Sequence, residues 1–288
     1  MTELRTTYGL VGYPLGHSLS PVIHNTAFQL LDVDAVYELF PMKQEDLASF
    51  FKGLKEKDSH IFGVNVTIPH KENVIPFLDS LSPFAMKVGA VNTVVITPER
   101  KLIGHNTDGP GFLAHLKEEG FDPKDKRIAI LGAGGASRAL ISVLCLLPDK
   151  AQSIKVFDTD HERANVLIQD LSSRMDTGRV EVVNSIDDLN IELADLLINA
   201  TPVGMKAADP CLVNEELLHP AMMVYDLVYN PAETKLLAMA RVRAAKPVNG
   251  LKMLFYQGVL AFQHWADLQL PEKVKDRMWA ALQKASVT

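Results

Sequence analysis

The chain has 288 residues, 47% of them hydrophobic and 22% charged, with a formal net charge of −6. These are globular values and exclude a largely disordered chain. The acidic balance excludes the broad cationic field of a general nucleic-acid binder. Cys145 and Cys211 are too few and too far apart for a disulfide framework or a paired-cysteine zinc site. The nine histidines include no HxxxH or HxH pair, so no metal site is expected. The first residues lack a basic segment followed by an apolar core of signal length. No apolar run approaches the roughly 20 residues of a membrane helix. The expectation is a cytoplasmic protein without membrane or nucleic-acid partners, built of about two domains at roughly 150 residues each.

Strand-length apolar runs alternate with helical segments along the first part of the chain. The pattern predicts strand Tyr8–Val11, helix Pro21–Leu31, strand Val36–Phe40, helix Gln44–Lys55, strand Ile61–Val66 and helix Lys71–Leu78. An extended stretch, Ala90–Ile96, and a turn at Pro98–Lys101 follow, then helix Asp108–Glu119. This order implies a mainly parallel sheet covered by helices. A second series runs strand Arg127–Leu131, helix Ala136–Leu147, strand Ile154–Phe157, helix His161–Ser172 and strands Val180–Val183, Leu196–Asn199 and Met223–Leu227. It closes with helix Glu233–Ala244. Helices Met253–Trp265 and Glu272–Lys284 leave the alternation, so they are expected to pack back on the first domain or to span a cleft. The expected domains are 1–106 plus 250–288, and 107–249.

The segment RIAILGAGGASRAL places a strand before Gly132-Ala133-Gly134-Gly135 and a helix after it, from Ala136. Glycine permits the tight turn and close approach of a pyrophosphate, and the helix start offers unpaired N–H groups. Ser137 stands where the strict GxGxxG pattern has its third small residue, so a ligand-free strand-to-helix turn is the alternative. Asp158 ends the next strand, where an acid accepts hydrogen bonds from ribose hydroxyls or simply faces solvent.

Four polar stretches interrupt apolar strands in the first part: His17–Pro21, Asn65–Lys71, Gly89–Thr93 and Asn106–Gly109. Parallel sheets bind ligands at the carboxyl ends of their strands. The hydroxyls, amides, one ammonium and one carboxylate gathered there suit a small polyhydroxylated acid. Each residue also has a plainer reading. Ser18 and Ser20 cap a helix, and Asp108 is an acid at a helix start. Asn92 is a turn residue, Gln257 sits on a helix face, and Lys71 is a surface lysine, although at the first turn of a helix a cation is disfavoured.

These motifs together resemble the shikimate dehydrogenase family, with its related quinate dehydrogenases. The resemblance spans essentially the whole chain: SLSP at 18–21, NVTIPHK at 65–71, GAVNT at 89–93, NTDG at 106–109, GAGGASR at 132–138, NATPVGM at 199–205, YDLVYNPAETKLL at 225–237 and GLKMLFYQ at 250–257. It implies two α/β domains, a substrate-binding domain and a Rossmann-type dinucleotide domain, with the active site in the cleft between them. It implies NAD(P)-dependent hydride transfer between 3-dehydroshikimate and shikimate, by a monomer or homodimer. Lys71 would be the acid/base with Asp108 beside it. Ser18 and Ser20 would hold the substrate carboxylate, and Thr67, Asn92, Asp108 and Gln257 the ring hydroxyls, with Tyr229 close to the substrate. Gly132, Ala133, Gly134, Gly135 and Ala136 would carry the pyrophosphate, and Gly250 and Met253 would lie near the nicotinamide. The alternatives are a dehydrogenase that also takes quinate and, from another class, a catalytically silent dinucleotide-sensing module.

NADP-using members of that family carry Asn-Arg-Thr or Asn-Arg-Ser at the end of the second strand of the nucleotide domain. This chain reads Asp158-Thr159-Asp160 there. A carboxylate favours the free ribose hydroxyls of NAD and repels a 2′-phosphate. NAD is therefore the expected cofactor, with NADP not excluded because Arg163 and Arg138 lie nearby.

Overall fold

A computed structural model describes residues 5–16 and 18–287, and His17 lies outside the described residues. The chain forms two compact units, residues 1–111 with 254–288 and residues 112–253. The divisions fall inside two helices rather than in the polar turns near 106 and 249.

The first unit contains β1 (Thr6–Gly12), α1 (Ser20–Leu30), β2 (Ala35–Pro41), α2 (Leu47–Leu54), β3 (Ile61–Val66), β4 (Ser80–Leu81), α3 (Pro83–Val88), β5 (Thr93–Ile96) and β6 (Leu102–His105). The sheet order is β2-β1-β3-β5-β6-β4. β1 pairs parallel with β2 and β3, and β4 parallel with β6. β5 runs antiparallel to both β3 and β6, so this sheet is mixed. The cause is local. The turn after β5 is closed by the Thr97 N–H to the Lys101 carbonyl at 2.9 Å, with Arg100 at φ 62°. A connection that short permits only a hairpin.

The helix expected over Lys71–Leu78 is absent. Residues 71–74 form turns, and Ile75–Phe77 is a single 3-10 turn. Pro76 lacks an N–H and its ring clashes with the preceding helical turn, so an α-helix cannot continue through it. The apolar spacing is real but serves packing: Val74 is buried, and Ile75, Phe77 and Leu78 pack on the core. That core joins Val11, Val64, Val66 and Val94 of the sheet to Leu47, Phe51 and Leu54 of α2.

The helix α4 (Asp108–Glu118) leads into the second unit, and α8 (Leu251–Ala266) leads back out of it. In the first unit, Phe262 and Trp265 of α8 join Tyr8, His24, Phe28 and Tyr37 in a ring cluster. The last helix, α9 (Glu272–Ala285), packs on α1.

The second unit holds β7 (Arg127–Leu131), α5 (Gly135–Leu146), β8 (Ser153–Phe157), α6 (His161–Ser172), β9 (Val180–Val182), β10 (Leu196–Asn199), β11 (Met223–Asp226), α7 (Lys235–Val242) and β12 (Lys246–Asn249). Its sheet is parallel throughout, in the order β12-β11-β10-β7-β8-β9. β12 lies within a segment without an apolar run of strand length and forms by pairing with β11. α7 is shorter than the apolar pattern predicts. The Thr234 hydroxyl caps it by accepting the Leu237 N–H, and Ala244 beyond its end takes φ 56°. β7 is central, flanked by β10 and β8, so its carboxyl end is the point where the strand order reverses.

His24 is completely buried, with its ring stacked 4.3 Å from Tyr37. Burial pushes its pKa down to about 3, against about 6.5 when unfolded. Between those values the unfolded chain binds the extra proton, so stability is complete above pH 6.5 and is lost as pH falls. The loss from this residue is on the order of 3 kcal/mol at pH 4.5. His105, pushed down to about 4 by burial and then by His264, adds in the same direction. Urea midpoints measured from pH 7 to 4.5 should fall steeply in the unmutated chain. The fall should be shallower in His24→Phe, and an unchanged slope would place the responsible protons elsewhere.

Candidate active site

Lys71 and Asn92 are tied together through the backbone before their side chains meet anything. The Val91 N–H donates to the Lys71 carbonyl at 2.7 Å, and the Asn92 N–H donates to the His105 carbonyl at 3.1 Å. The Val66 N–H donates to the Asn92 carbonyl at 2.9 Å. The ends of β3 and β6 therefore hold the segment that precedes β5.

Asp108 opens α4, but it is not the capping residue. The Asn106 side-chain oxygen accepts from the Asp108 and Gly109 N–H groups at 3.1 and 3.4 Å. With the helix start satisfied by Asn106, the Asp108 carboxylate is released for other partners. Lys71 Nζ donates to its Oδ2 at 2.6 Å, and Asn92 Nδ2 donates to its Oδ1 at 2.9 Å. The Lys71 and Asp108 side chains retain 14% and 8% of their exposure. A pair this enclosed is screened far less than a surface pair. Asn92 Nδ2 also lies 3.4 Å from Gln257 Oε1. Gly111 permits that approach, since a Cβ there would sit 2.9 Å from the Gln257 backbone nitrogen.

Of the other predicted substrate residues in this unit, Thr67 follows the end of β3, and Ser18 and Ser20 lie where the chain passes from β1 into α1. Ser20 is the first residue of α1, and the N-cap position belongs to Leu19, which makes no side-chain cap bond. Ser18 Oγ accepts the Ser20 N–H at 3.3 Å. The Thr67 N–H donates to the Val11 carbonyl at 2.8 Å. The structure thus joins Lys71, Asn92, Asp108 and Gln257 by side-chain contacts, seats Thr67 just beyond β3 and places Ser18 and Ser20 at the start of α1. Since no helix begins at Lys71, the dipole argument made for it from the sequence does not apply.

Sequence reasoning missed the layer behind these groups. Asn65, Thr93 and Thr107 are buried and hydrogen-bonded to Asn92 or to one another. Each lies inside a motif already singled out, NVTIPHK, GAVNT and NTDG, where the surrounding polar residues were the only available signal.

In the second unit the glycine turn follows β7. Gly132 has φ 98°, and a Cβ there would come within 2.8 Å of Thr201 Cγ2 and 3.1 Å of the Ala200 backbone. Only glycine fits both constraints. Gly134 is the N-cap of α5, which has no side-chain cap hydrogen bond. The first-turn N–H groups from Gly135 and Ala136 onward have no intrahelical acceptor. Asp158 Oδ2 accepts the Ala133 N–H at 2.7 Å, and its Oδ1 accepts the Asp160 N–H at 2.9 Å. The carboxylate therefore sits against the turn instead of projecting into solvent. Arg138 is paired inward with Asp170. A Cβ on Gly134 would lie 3.1 Å from Arg163 Nη2, which puts the Arg163 guanidinium beside the turn. This arrangement fits a dinucleotide pyrophosphate.

Tyr229, Gly250 and Met253 belong to the same unit. Burial pushes the Tyr229 phenol up. Gly250 has a packing reason of its own, because a Cβ would stand 2.1 Å from the Leu227 carbonyl oxygen. Among the described residues, no group of three or more His, Cys, Asp or Glu side chains is placed to hold a metal ion, and no helix is long and apolar enough to cross a membrane.

Residues 10–94 match the family model described as the shikimate dehydrogenase substrate binding domain. The shikimate dehydrogenase (NADP(+)) of Moorella thermoacetica is 42% identical over 287 residues, covering 96% of this chain and 95% of that one. The chain belongs to the shikimate dehydrogenase family. The crystal structure of shikimate dehydrogenase from Aquifex aeolicus superposes with a TM-score of 0.86 at 38% identity, covering 96% of this chain and 98% of that one. The shikimate 5-dehydrogenase of Listeria monocytogenes, crystallised with shikimate and NAD, gives 0.84 at 34% identity, covering 96% and 97%. Like those family members, this chain is a two-domain α/β protein with a Rossmann-type domain.

The family motifs NATPVGM and YDLVYNPAET meet at a buried carboxylate. Asp226 accepts from Asn199 Nδ2 at 2.8 Å, the Val228 N–H at 3.0 Å and the Thr234 hydroxyl at 2.6 Å. Burial raises its pKa, so near neutral pH the charge opposes folding and lower pH relieves that cost. Asp226→Asn keeps both acceptor contacts on one oxygen and can donate to Thr234. Its stability at pH 7 should stay within about 1 kcal/mol of the unmutated chain. Asp226→Ala strands three donors and should lose roughly 2–3 kcal/mol in chemical denaturation.

Proposed function

We propose that this chain interconverts 3-dehydroshikimate and shikimate with NAD(P), using Lys71 as the acid/base. The observation that carries this reading is the enclosed Lys71–Asp108 contact, with Asn92 on the second carboxylate oxygen, in a chain of this family. When bound, the nicotinamide supplies or takes up the hydride at the 3-position. In the reductive direction, the Lys71 ammonium gives a proton to the oxygen that gains charge. In the oxidative direction, the neutral amine removes it. Asp108 and Asn92 fix the ammonium in place, and Asp108, Asn92, Thr67 and Gln257 meet the ring hydroxyls. Ser18 and Ser20 take the carboxylate, and Tyr229 lies close to the ring.

Residues 132–136 hold the pyrophosphate on the start of α5, and Gly250 and Met253 lie near the nicotinamide. We infer that NAD is preferred. Asp158 is fixed at the glycine turn, where a carboxylate accepts from ribose hydroxyls and repels a 2′-phosphate. Arg163 beside Gly134 favours the second reading, NADP, as does the NADP(+) specificity in the name of the Moorella relative.

Absorbance at 340 nm with shikimate or quinate and each oxidised cofactor tests substrate and cofactor together. Turnover of shikimate is expected, and silence in all four combinations would favour a binding module. Lys71→Ala should lower kcat roughly 10²–10⁴-fold, and near-normal turnover would remove Lys71 from the acid/base role. For the cofactor, kcat/KM should favour NAD, and Asp158→Asn with Thr159→Arg should move preference toward NADP. Higher kcat/KM with NADP in the unmutated chain would show that Asp158 does not read the ribose.

A further inference from the structure

Behind the Lys71–Asp108 pair lies a row of buried polar side chains in which the orientations of both amides are determined. Asn65 Nδ2 lies 3.1 Å from the Asn92 carbonyl, which can only accept, so the amide of Asn65 has one orientation. Its second amide hydrogen goes to Thr93 Oγ1 at 3.0 Å. Its oxygen is then an acceptor, and the Tyr37 phenol donates to it at 2.8 Å.

Asn92 is fixed by the same logic. Its Oδ1 accepts the Thr107 N–H at 2.7 Å, a group that can only donate. Its Nδ2 therefore faces Asp108 Oδ1 and Thr107 Oγ1, both at 2.9 Å. The Thr93 hydroxyl, already accepting from Asn65, sends its own hydrogen to Asn92 Oδ1 at 3.2 Å or Thr107 Oγ1 at 3.3 Å. Tyr37, Asn65, Thr93, Asn92 and Thr107 are all buried.

We propose that Tyr37, Asn65 and Thr93 are positioning residues for the acid/base pair: Asn65, held by Tyr37, grips both the Asn92 carbonyl and Thr93, and with the Thr107 N–H they seat Asn92 where its amide donates to Asp108. Asp108 thus receives hydrogen bonds at both oxygens, from Asn92 and from Lys71. None of the three positioning residues needs to touch the substrate. Removing the Thr93 hydroxyl strands a donor of Asn65 and loosens its hold on the Asn92 carbonyl, which mispositions Lys71 through Asp108.

This inference rests on the dehydrogenase reading, and Thr93 separates a hydroxyl role from a packing role. Thr93→Val keeps the shape and removes the hydroxyl, whereas Thr93→Ser keeps the hydroxyl and removes a methyl group. Steady-state oxidation of shikimate should show kcat lowered roughly tenfold or more in Thr93→Val, with the shikimate KM changed less than about threefold. Thr93→Ser should recover most of the loss. A Thr93→Val enzyme with the kcat of the unmutated chain, or one outperforming Thr93→Ser, would overturn the chain. If Thr93→Val does not fold, Tyr37→Phe decides by the same split, because it keeps the ring on His24 and removes only the first donor. Tyr37→Phe with unchanged kcat would then count against the proposal. An unmutated chain that turns over no shikimate would instead defeat the dehydrogenase reading itself.

Discussion

A buried carboxylate must be given donors, and the polar half of the first unit is organised by that requirement at Asp108. Its charge is met by the Lys71 ammonium on one oxygen and by the Asn92 amide on the other. Neither donor can be placed by its own segment alone. Lys71 is carried by a turn whose carbonyl is bonded to Val91, and Asn92 is strung between the ends of β3 and β6. Asn106 contributes by capping α4, which leaves the Asp108 side chain uncommitted to its own helix. Leaving such a group partly satisfied costs more than the bond itself is worth. The site and the local fold are therefore one problem.

The second unit solves a related problem with backbone donors. Asp158 takes the N–H groups of Ala133 and Asp160, so the strand-to-helix turn and the end of the next strand are fastened to each other. Gly132 closes the turn where a side chain would strike Thr201 and Ala200. Asp226 does the same for the loops that follow β10 and β11. In both places a carboxylate held by N–H, amide or hydroxyl donors organises the loops at the carboxyl ends of a parallel sheet, where such sheets bind ligands.

Much of this was legible in the chain because the controlling forces are short-range. Alternating apolar runs placed most strands and helices of both sheets. The glycine turn was recognisable because a left-handed residue between a strand and a helix leaves few choices of residue. Lys71, Asn92 and Asp108 stood out in polar stretches that interrupt apolar strands, whereas Gln257 came only from the family resemblance. The pattern misled at Lys71–Leu78, where apolar spacing without attention to Pro76 suggested a helix. It also overlooked β12, which owes its strand to pairing with β11 rather than to its own residues.

The amino-acid sequence by itself determined the two α/β units and the glycine turn, because periodicity and turn chemistry act over a few residues, and through their family resemblance its motifs named the groups that carry the proposed chemistry. The tertiary structure alone decided which way those groups point. The orientation of the Asn92 amide depends on the Thr107 N–H fifteen residues later, and that of Asn65 on a carbonyl twenty-seven residues away. Donor and acceptor roles follow from partners brought together by sheet pairing, and no local pattern records them.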